Sequence, residues 1–333
     1  KLLRFACSGL GNDQRLGGNE APPPIISVFL GETLFEKLAE GANVTIEKTH
    51  CSSEVLMNND ISALPLVETD DADRNRTSPF AFTGNKFEFR MPGSSQNPDT
   101  INMIINTIVA QQLAIIADRL EELGNDEKSV QTVLQELFLK HERVIFNGNN
   151  YGKAWSAEAI CRGLPIITSS ADGIAALTSE KTRLLMTEQG VLTEKELTSR
   201  AVVQWEIYIK SLRIEAKTML DMQRKSILPA VQEYQQQLIT YMLQIEKTQY
   251  SSIIIQEQLT KIEPLLLSLW ENLNHLEGQL SLFTIEATHE NAMKWQQEII
   301  PVLDAIRNSS DLLETIVPAK MWPYPTYEEL LYY

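Results

Sequence analysis

The stretch N-R-T-S-P-F-A-F-T-G-N-K-F-E-F-R, residues 75–90, ends in a strand pattern that lines up charges rather than apolar side chains. Side chains two apart in a strand share a face, so Lys86, Glu88 and Arg90 point one way while Phe87 and Phe89 point the other. One face packs, and the other is available for ions or chemistry. Alternation by itself equally describes a half-buried strand whose charges simply face water, so the surrounding sequence has to discriminate.

Upstream, N-D-Q-R-L-G-G-N-E-A-P-P-P at residues 12–24 carries one arginine, one glutamate and a density of Gly and Pro that precludes regular structure. Glycine permits tight or left-handed backbone and proline stiffens the exit, so Arg15 and Glu20 sit on a shaped loop. Composition alone also allows an ordinary turn-rich surface loop.

The whole chain sets bounds. With 333 residues, a net charge of -15 and 43% apolar content it is long enough for one large domain or two moderate ones. The acidic excess repels phosphate backbones, so no nucleic-acid partner is expected, and an anionic substrate needs a local concentration of cations such as Arg74, Arg76, Lys86 and Arg90. Cys7, Cys51 and Cys161 are scattered without C-x-x-C spacing, which fits the reduced thiols of a cytoplasmic protein and no structural disulfide. The longest apolar runs, residues 104–116 and 265–270, are interrupted by polar residues and too short to span a bilayer, so no membrane partner is expected. The opening K-L-L-R-F-A-C-S-G has too little apolar length for a signal peptide.

All glycines but Gly278 lie at or before Gly190, so irregular structure gives way to helix along the chain. The fold class is α+β. Residues 25–30 read as a buried strand, 32–40 as a short helix ended by Gly41, and 64–90 as strands broken by an acidic turn at 70–73. Pro98 and Asp99 open a helix with Ile101, Ile105, Ile108, Leu113, Ile116 and Leu120 on one stripe, and a second carries Val130, Val133, Leu134, Leu137 and Phe138. Both read as core helices, and His141 lacks any second ligand at metal spacing. Residues 164–192 look like a connection. T-E-K-E at 193–196 is a capping-box start, and residues 193–309 predict a bundle of long helices, broken or kinked at Pro229. In the tail, 310–333, Trp322, Tyr324 and Tyr327 are spaced by prolines and suit either packing on their own domain or docking on a neighbour.

Five strings in this order, R-L-G-G-N-E-A-P-P (15–23), N-R-T-S-P (75–79), N-K-F-E-F-R (85–90), R-V-I-F-N-G-N (143–149) and M-W-P-Y-P-T-Y-E-E-L (321–330), give a chain that resembles the glutamine synthetase family, and its long type III branch in particular. The resemblance implies that residues 1–163 are the carboxy-terminal part of that family's catalytic domain, antiparallel strands with packed helices, followed by the long-helix bundle and a docking tail. It implies an ATP-dependent ligase that joins ammonium to L-glutamate through γ-glutamyl phosphate, with Mg2+ or Mn2+. It further implies a homo-oligomer of stacked rings, a dodecamer.

Residue by residue, Arg90 and Arg15 match substrate arginines, Glu20 the flap glutamate that closes the ammonium site, Glu88 a metal ligand, and Arg76 and Lys86 phosphate-contacting positions. Guanidinium forks suit carboxylates and carboxylate oxygen suits hard cations. The sequence departs from the better-known bacterial pattern at Ala81, where no basic residue follows the N-R dipeptide. Most acidic ligands and the nucleotide loop of the family lie upstream of the matched strings, so this chain on its own is expected to be inactive. A related γ-glutamyl amide ligase and a non-catalytic assembly module share the same letters.

Overall fold

The computed structural model describes residues 1–9, 25–41, 73, 77–93, 96–150 and 152–332. They fall into two compact units, Lys1–Ala201 and Val202–Tyr333, so the division lies inside a helix.

In the first unit, α1 (Leu2–Ala6) precedes β1 (Val28–Phe29), α2 (Glu32–Gly41), β2 (Phe80–Phe82) and β3 (Phe87–Phe89). The predicted strand at 25–30 shrinks to β1, while Ile25 is buried as a loop residue against Trp155, Ala159 and Leu164. The order is β1-β2-β3, with β1 and β2 parallel and β2 and β3 antiparallel, so the sheet is mixed where an antiparallel one was expected. The fold class remains α+β.

The helices follow: α3 (Asp99–Leu123), α4 (Glu127–His141), α5 (Lys153–Cys161), α6 (Ser170–Ile174) and α7 (Glu180–Glu188). Gly124, at φ 102°, ends α3 in the left-handed conformation that favours glycine. Asp126 then caps α4 by accepting from the Ser129 N–H at 2.8 Å, closing an antiparallel helical hairpin. Of the predicted stripe on α3, Ile101 is buried, Ile105, Ile108, Ile116 and Leu120 are half-buried and Leu113 is exposed, so only its start is core. The reason is partnership: α3 packs against α1, α4 and α7, and its last turns meet α4 through Arg119 and Glu136 at 2.8 Å. At 25 residues, with an 18-residue window of mean hydropathy 1.5, α3 is also long and apolar enough by length and composition to cross a membrane, which the shorter run counted from sequence was not.

Residues 164–192 hold α6, a 3₁₀ turn (Ala175–Thr178) and α7, with Ile167, Ile174, Leu177 and Met186 buried. Ser169 and Ser179 cap these helices by accepting from the N–H groups of Asp172 and Thr182. The serines and glycine that suggested a connection are capping and packing residues.

The helix α8 (Glu194–Met222) opens on the expected capping box, Thr193 and Glu196 each accepting from the other's backbone N–H. In the second unit it continues through a π-helical turn (Gln223–Ile227) into α9 (Leu228–Ile245), then α10 (Ile253–Leu282), α11 (His289–Lys294), a second π turn (Trp295–Ile299), α12 (Ile300–Glu314) and α13 (Tyr327–Leu330). Pro229 therefore does not break the helix. Pro229 and Pro301 each stand one residue into the α-helix that follows a π turn. A wider turn accommodates a ring that would otherwise meet the preceding carbonyl. Leu269, Leu273 and Leu276 of α10 are buried, and α10 packs on α12 and α9. The tail folds onto this unit: Trp322 is buried, and the Tyr327 hydroxyl accepts from Arg307 at 3.1 Å.

Two expectations follow. Trp295 is fully buried, edge-on to Phe283 at 5.5 Å, whereas Trp270 lies half in solvent. Trp295→Ala should cost about 3–5 kcal/mol in denaturant unfolding, and Trp270→Ala far less. Burial pushes the Cys7 thiol up to about 12, while Cys161 is exposed. Peptide mapping after iodoacetamide treatment of the native protein at pH 8 should find Cys161 alkylated and Cys7 unmodified.

Candidate functional site

The hairpin β2–β3 turns through Gly84, at φ +89°, a conformation a side chain would strain, and closes with the Thr83 N–H donating to Lys86 O at 2.8 Å. This turn sets a register in which Phe80 faces Phe89, Ala81 faces Glu88 and Phe82 faces Phe87. Opposed residues share a face. Phe80, Phe82, Phe87 and Phe89 therefore gather on one side, with ring centroids 5.2 to 5.7 Å apart. That side is only partly covered, since Phe87 is 49% exposed. Ala81 and the charged trio occupy the other side.

The trio is joined. Glu88 Oε2 accepts from Arg90 Nε at 3.2 Å and Nη2 at 3.0 Å, and its other oxygen lies 3.4 Å from the Lys86 ammonium. The Arg90 hydrogen bond chiefly, opposed by partial desolvation and reinforced by Lys86, holds Glu88 below its ordinary value of 4.5. A lowered carboxylate stays ionised at neutral pH, and its pairing is lost only as pH falls through that lowered value.

A residue that pattern reading passed over completes the arrangement. Asp73, which closed the predicted acidic turn, is buried, and its side chain is 2% exposed. Its Oδ1 accepts from Thr77 N–H at 3.0 Å and Thr77 Oγ1 at 2.8 Å, and its Oδ2 from Ser78 N–H at 2.8 Å and Arg90 Nη1 at 3.2 Å. Arg90 Nη1 also donates to the Asp73 carbonyl at 2.9 Å. The only sequence sign of this is an acid four residues ahead of Thr-Ser, an ordinary turn former.

The string at 143–149 flanks the same sheet. Ile145 bridges Val28 of β1, and the Phe146 N–H donates to Val28 O at 2.9 Å. Asn147 accepts from Leu30 N–H at 3.0 Å and donates to Gly31 O at 3.2 Å, pinning the end of β1. Asn150 bonds buried Ser27 and donates to Ser78 Oγ at 2.7 Å, tying this loop to the start of β2. Phe146 stacks on Trp155 at 3.9 Å, and a Cβ at Gly148 would lie 2.6 Å from the Phe146 ring. The motif's glycine is there because the ring is.

Lys86, Glu88 and Arg90 thus come together as expected. Arg15, Glu20 and Arg76, with Arg74, lie outside the described residues. Among the described residues no group of three or more His, Cys, Asp or Glu could hold a metal ion. Glu88 supplies one donor carboxylate, so a cation beside it needs oxygens from elsewhere. Ala81 is fully buried and registered opposite Glu88, with Phe29 of β1 on its other side. A long basic side chain has no room there.

Residues 129–246 match the family described as Glutamine synthetase C-terminal domain. Over 99% of its length the chain is 35% identical to the type-3 glutamine synthetase of Dictyostelium discoideum, covering 46% of that protein. It is 32% identical to the glutamine synthetase of Bacteroides fragilis (strain YCH46) and 33% identical to that of Butyrivibrio fibrisolvens, covering 47% of each. The chain spans about half the length of the curated relatives it matches.

Removing Arg90 leaves the buried Asp73 carboxylate without its cation, whereas Lys86 is 64% exposed. Arg90→Ala should cost about 3 kcal/mol and Lys86→Ala at most about 1 kcal/mol, measured by chemical denaturation of the two variants.

Proposed function

We propose that this chain, which belongs to the glutamine synthetase family, is part of an ATP-dependent ligase that joins ammonium to the side-chain carboxylate of L-glutamate. What carries the reading is Arg90: its guanidinium is held in a fixed plane on a strand that also presents Glu88 and Lys86. Such a fork grips a carboxylate through two parallel hydrogen bonds.

A carboxylate is a poor electrophile, so its oxygen is first phosphorylated by ATP, and ammonia then displaces phosphate from the γ-glutamyl phosphate. Two polyanions have to approach in line, which requires their charge to be neutralised. In this reading Arg90 and Arg15 bind glutamate, with Arg15 near the reacting end. Arg76 and Lys86 meet phosphate, and Glu20 covers the ammonium site and takes the proton that makes ammonia nucleophilic. A divalent cation, when bound, supplies charge neutralisation at the transferring phosphoryl group, with Glu88 as one donor. The relatives' printed name supports the reaction, and for the assembled protein we propose a homo-oligomer of stacked rings.

The full-length protein should form glutamine from glutamate, ammonium and ATP, read by coupled phosphate release and amino-acid analysis. Arg90→Lys, which keeps the charge and loses the fork, and Glu88→Ala should each lower kcat/KM on the order of a hundredfold or more. Glu20→Ala should chiefly raise the ammonium requirement. Near-normal kinetics in Arg90→Lys and Glu88→Ala would remove the assignment.

A further inference from the structure

We propose that Asp73 is the positioning residue of this site, the buried anion that aims the Arg90 guanidinium for a substrate carboxylate; this rests on the assignment of Arg90 to glutamate. Three observations carry it. Asp73 is almost wholly enclosed, so its charge requires a paired cation, and among the described residues Arg90 is the cation that meets it. The contact is made twice by one nitrogen, Nη1, through the Asp73 carbonyl at 2.9 Å and the carboxylate at 3.2 Å, which fixes the plane of the guanidinium as well as its location. The opposite edge, Nε and Nη2, meets Glu88, whose side chain is 38% exposed.

One edge of the fork is therefore anchored from within, and the other opens toward solvent, where another carboxylate can take the place of Glu88. Asp73 touches no substrate in this arrangement. It acts through Arg90, while its Oδ1 keeps the turn onto Thr77.

Asp73→Asn separates these duties, because an amide has one acceptor oxygen where the carboxylate has two. The amide can still accept from Thr77, but then it presents N–H toward the N–H groups of Ser78 and Arg90. The test is a double-mutant cycle on the full-length protein with Asp73→Asn, Arg90→Lys and the double variant. The dissociation constant for L-glutamate is read by calorimetry with Mg2+ and a non-hydrolysable ATP analogue present, and thermal melting is followed in parallel.

A positioning role predicts that Asp73→Asn weakens glutamate binding on the order of tenfold and adds nothing further when Arg90 is already lysine. Equal losses in both backgrounds, or a lowered melting temperature with unchanged glutamate affinity, would overturn it, as would wild-type protein that binds no glutamate. If the cycle is non-additive but wild type makes no glutamine from ammonium and ATP, the positioning role stands and the ligase reading falls. If wild type makes glutamine and Asp73→Asn binds glutamate normally, the reverse holds.

Discussion

The contact between Asp73 and Arg90 is the constraint on which the candidate site depends. An arginine side chain gives up roughly 2 kcal/mol of rotamer freedom when fixed, so a guanidinium held in one plane needs partners on more than one edge. Asp73 supplies one edge from the interior and Glu88 the other from the strand itself. The enclosed carboxylate is stable there because its two oxygens accept four hydrogen bonds, from Thr77, Ser78 and Arg90. Ser78 then passes the constraint on, through Asn150 to Ser27, so the strand with the charges, the turn before it and the loop at 145–150 form one hydrogen-bonded body.

The two acids that hold Arg90 differ in kind. Asp73 is enclosed and cannot leave without burying an unpaired charge, whereas Glu88 is part-exposed and shared with Lys86. Exposed pairs hold their partners weakly and buried ones hold them firmly. Glu88 cannot at once chelate Arg90 with one oxygen, meet Lys86 with the other and give its best lone pairs to a cation. Under the assignment proposed above, a substrate carboxylate would offer Arg90 a partner of the same geometry as Glu88.

Much of this was legible in the sequence. The alternation in residues 86–90 put three charges on one face because a strand has a period of two. The helices of the second unit were legible because periodic leucines and isoleucines bury one stripe. Three things were not. Asp73 looked like any turn acid, since its importance lies in contacts to residues 77, 78 and 90 that no period connects. Leu113 fits a core stripe yet is exposed, because a stripe tells which side would be buried, not how far along the helix its partners reach. Pro229 suggested a helix that breaks or kinks, and the break does not occur: local rules for proline assume an α-helical turn ahead of it, and here that turn is a π turn.

The acidity of the chain leaves one electrostatic question that the hairpin answers. A net charge of -15 would disfavour anions if it acted as a single field, but at physiological ionic strength that field is screened within about 8 Å. Charges 3.0 to 3.4 Å apart inside a part-buried hairpin are far less affected. Local geometry therefore decides which anions bind, and geometry restricts the sources of positive charge as well. Ala81 is fully buried opposite Glu88, so strand β2 cannot contribute an arginine there without displacing what covers that position. Among the described residues, Lys86 and Arg90 are the cations that flank Glu88 on this face. With alanine at position 81, the positive charge on this face is therefore confined to the β3 side of the hairpin.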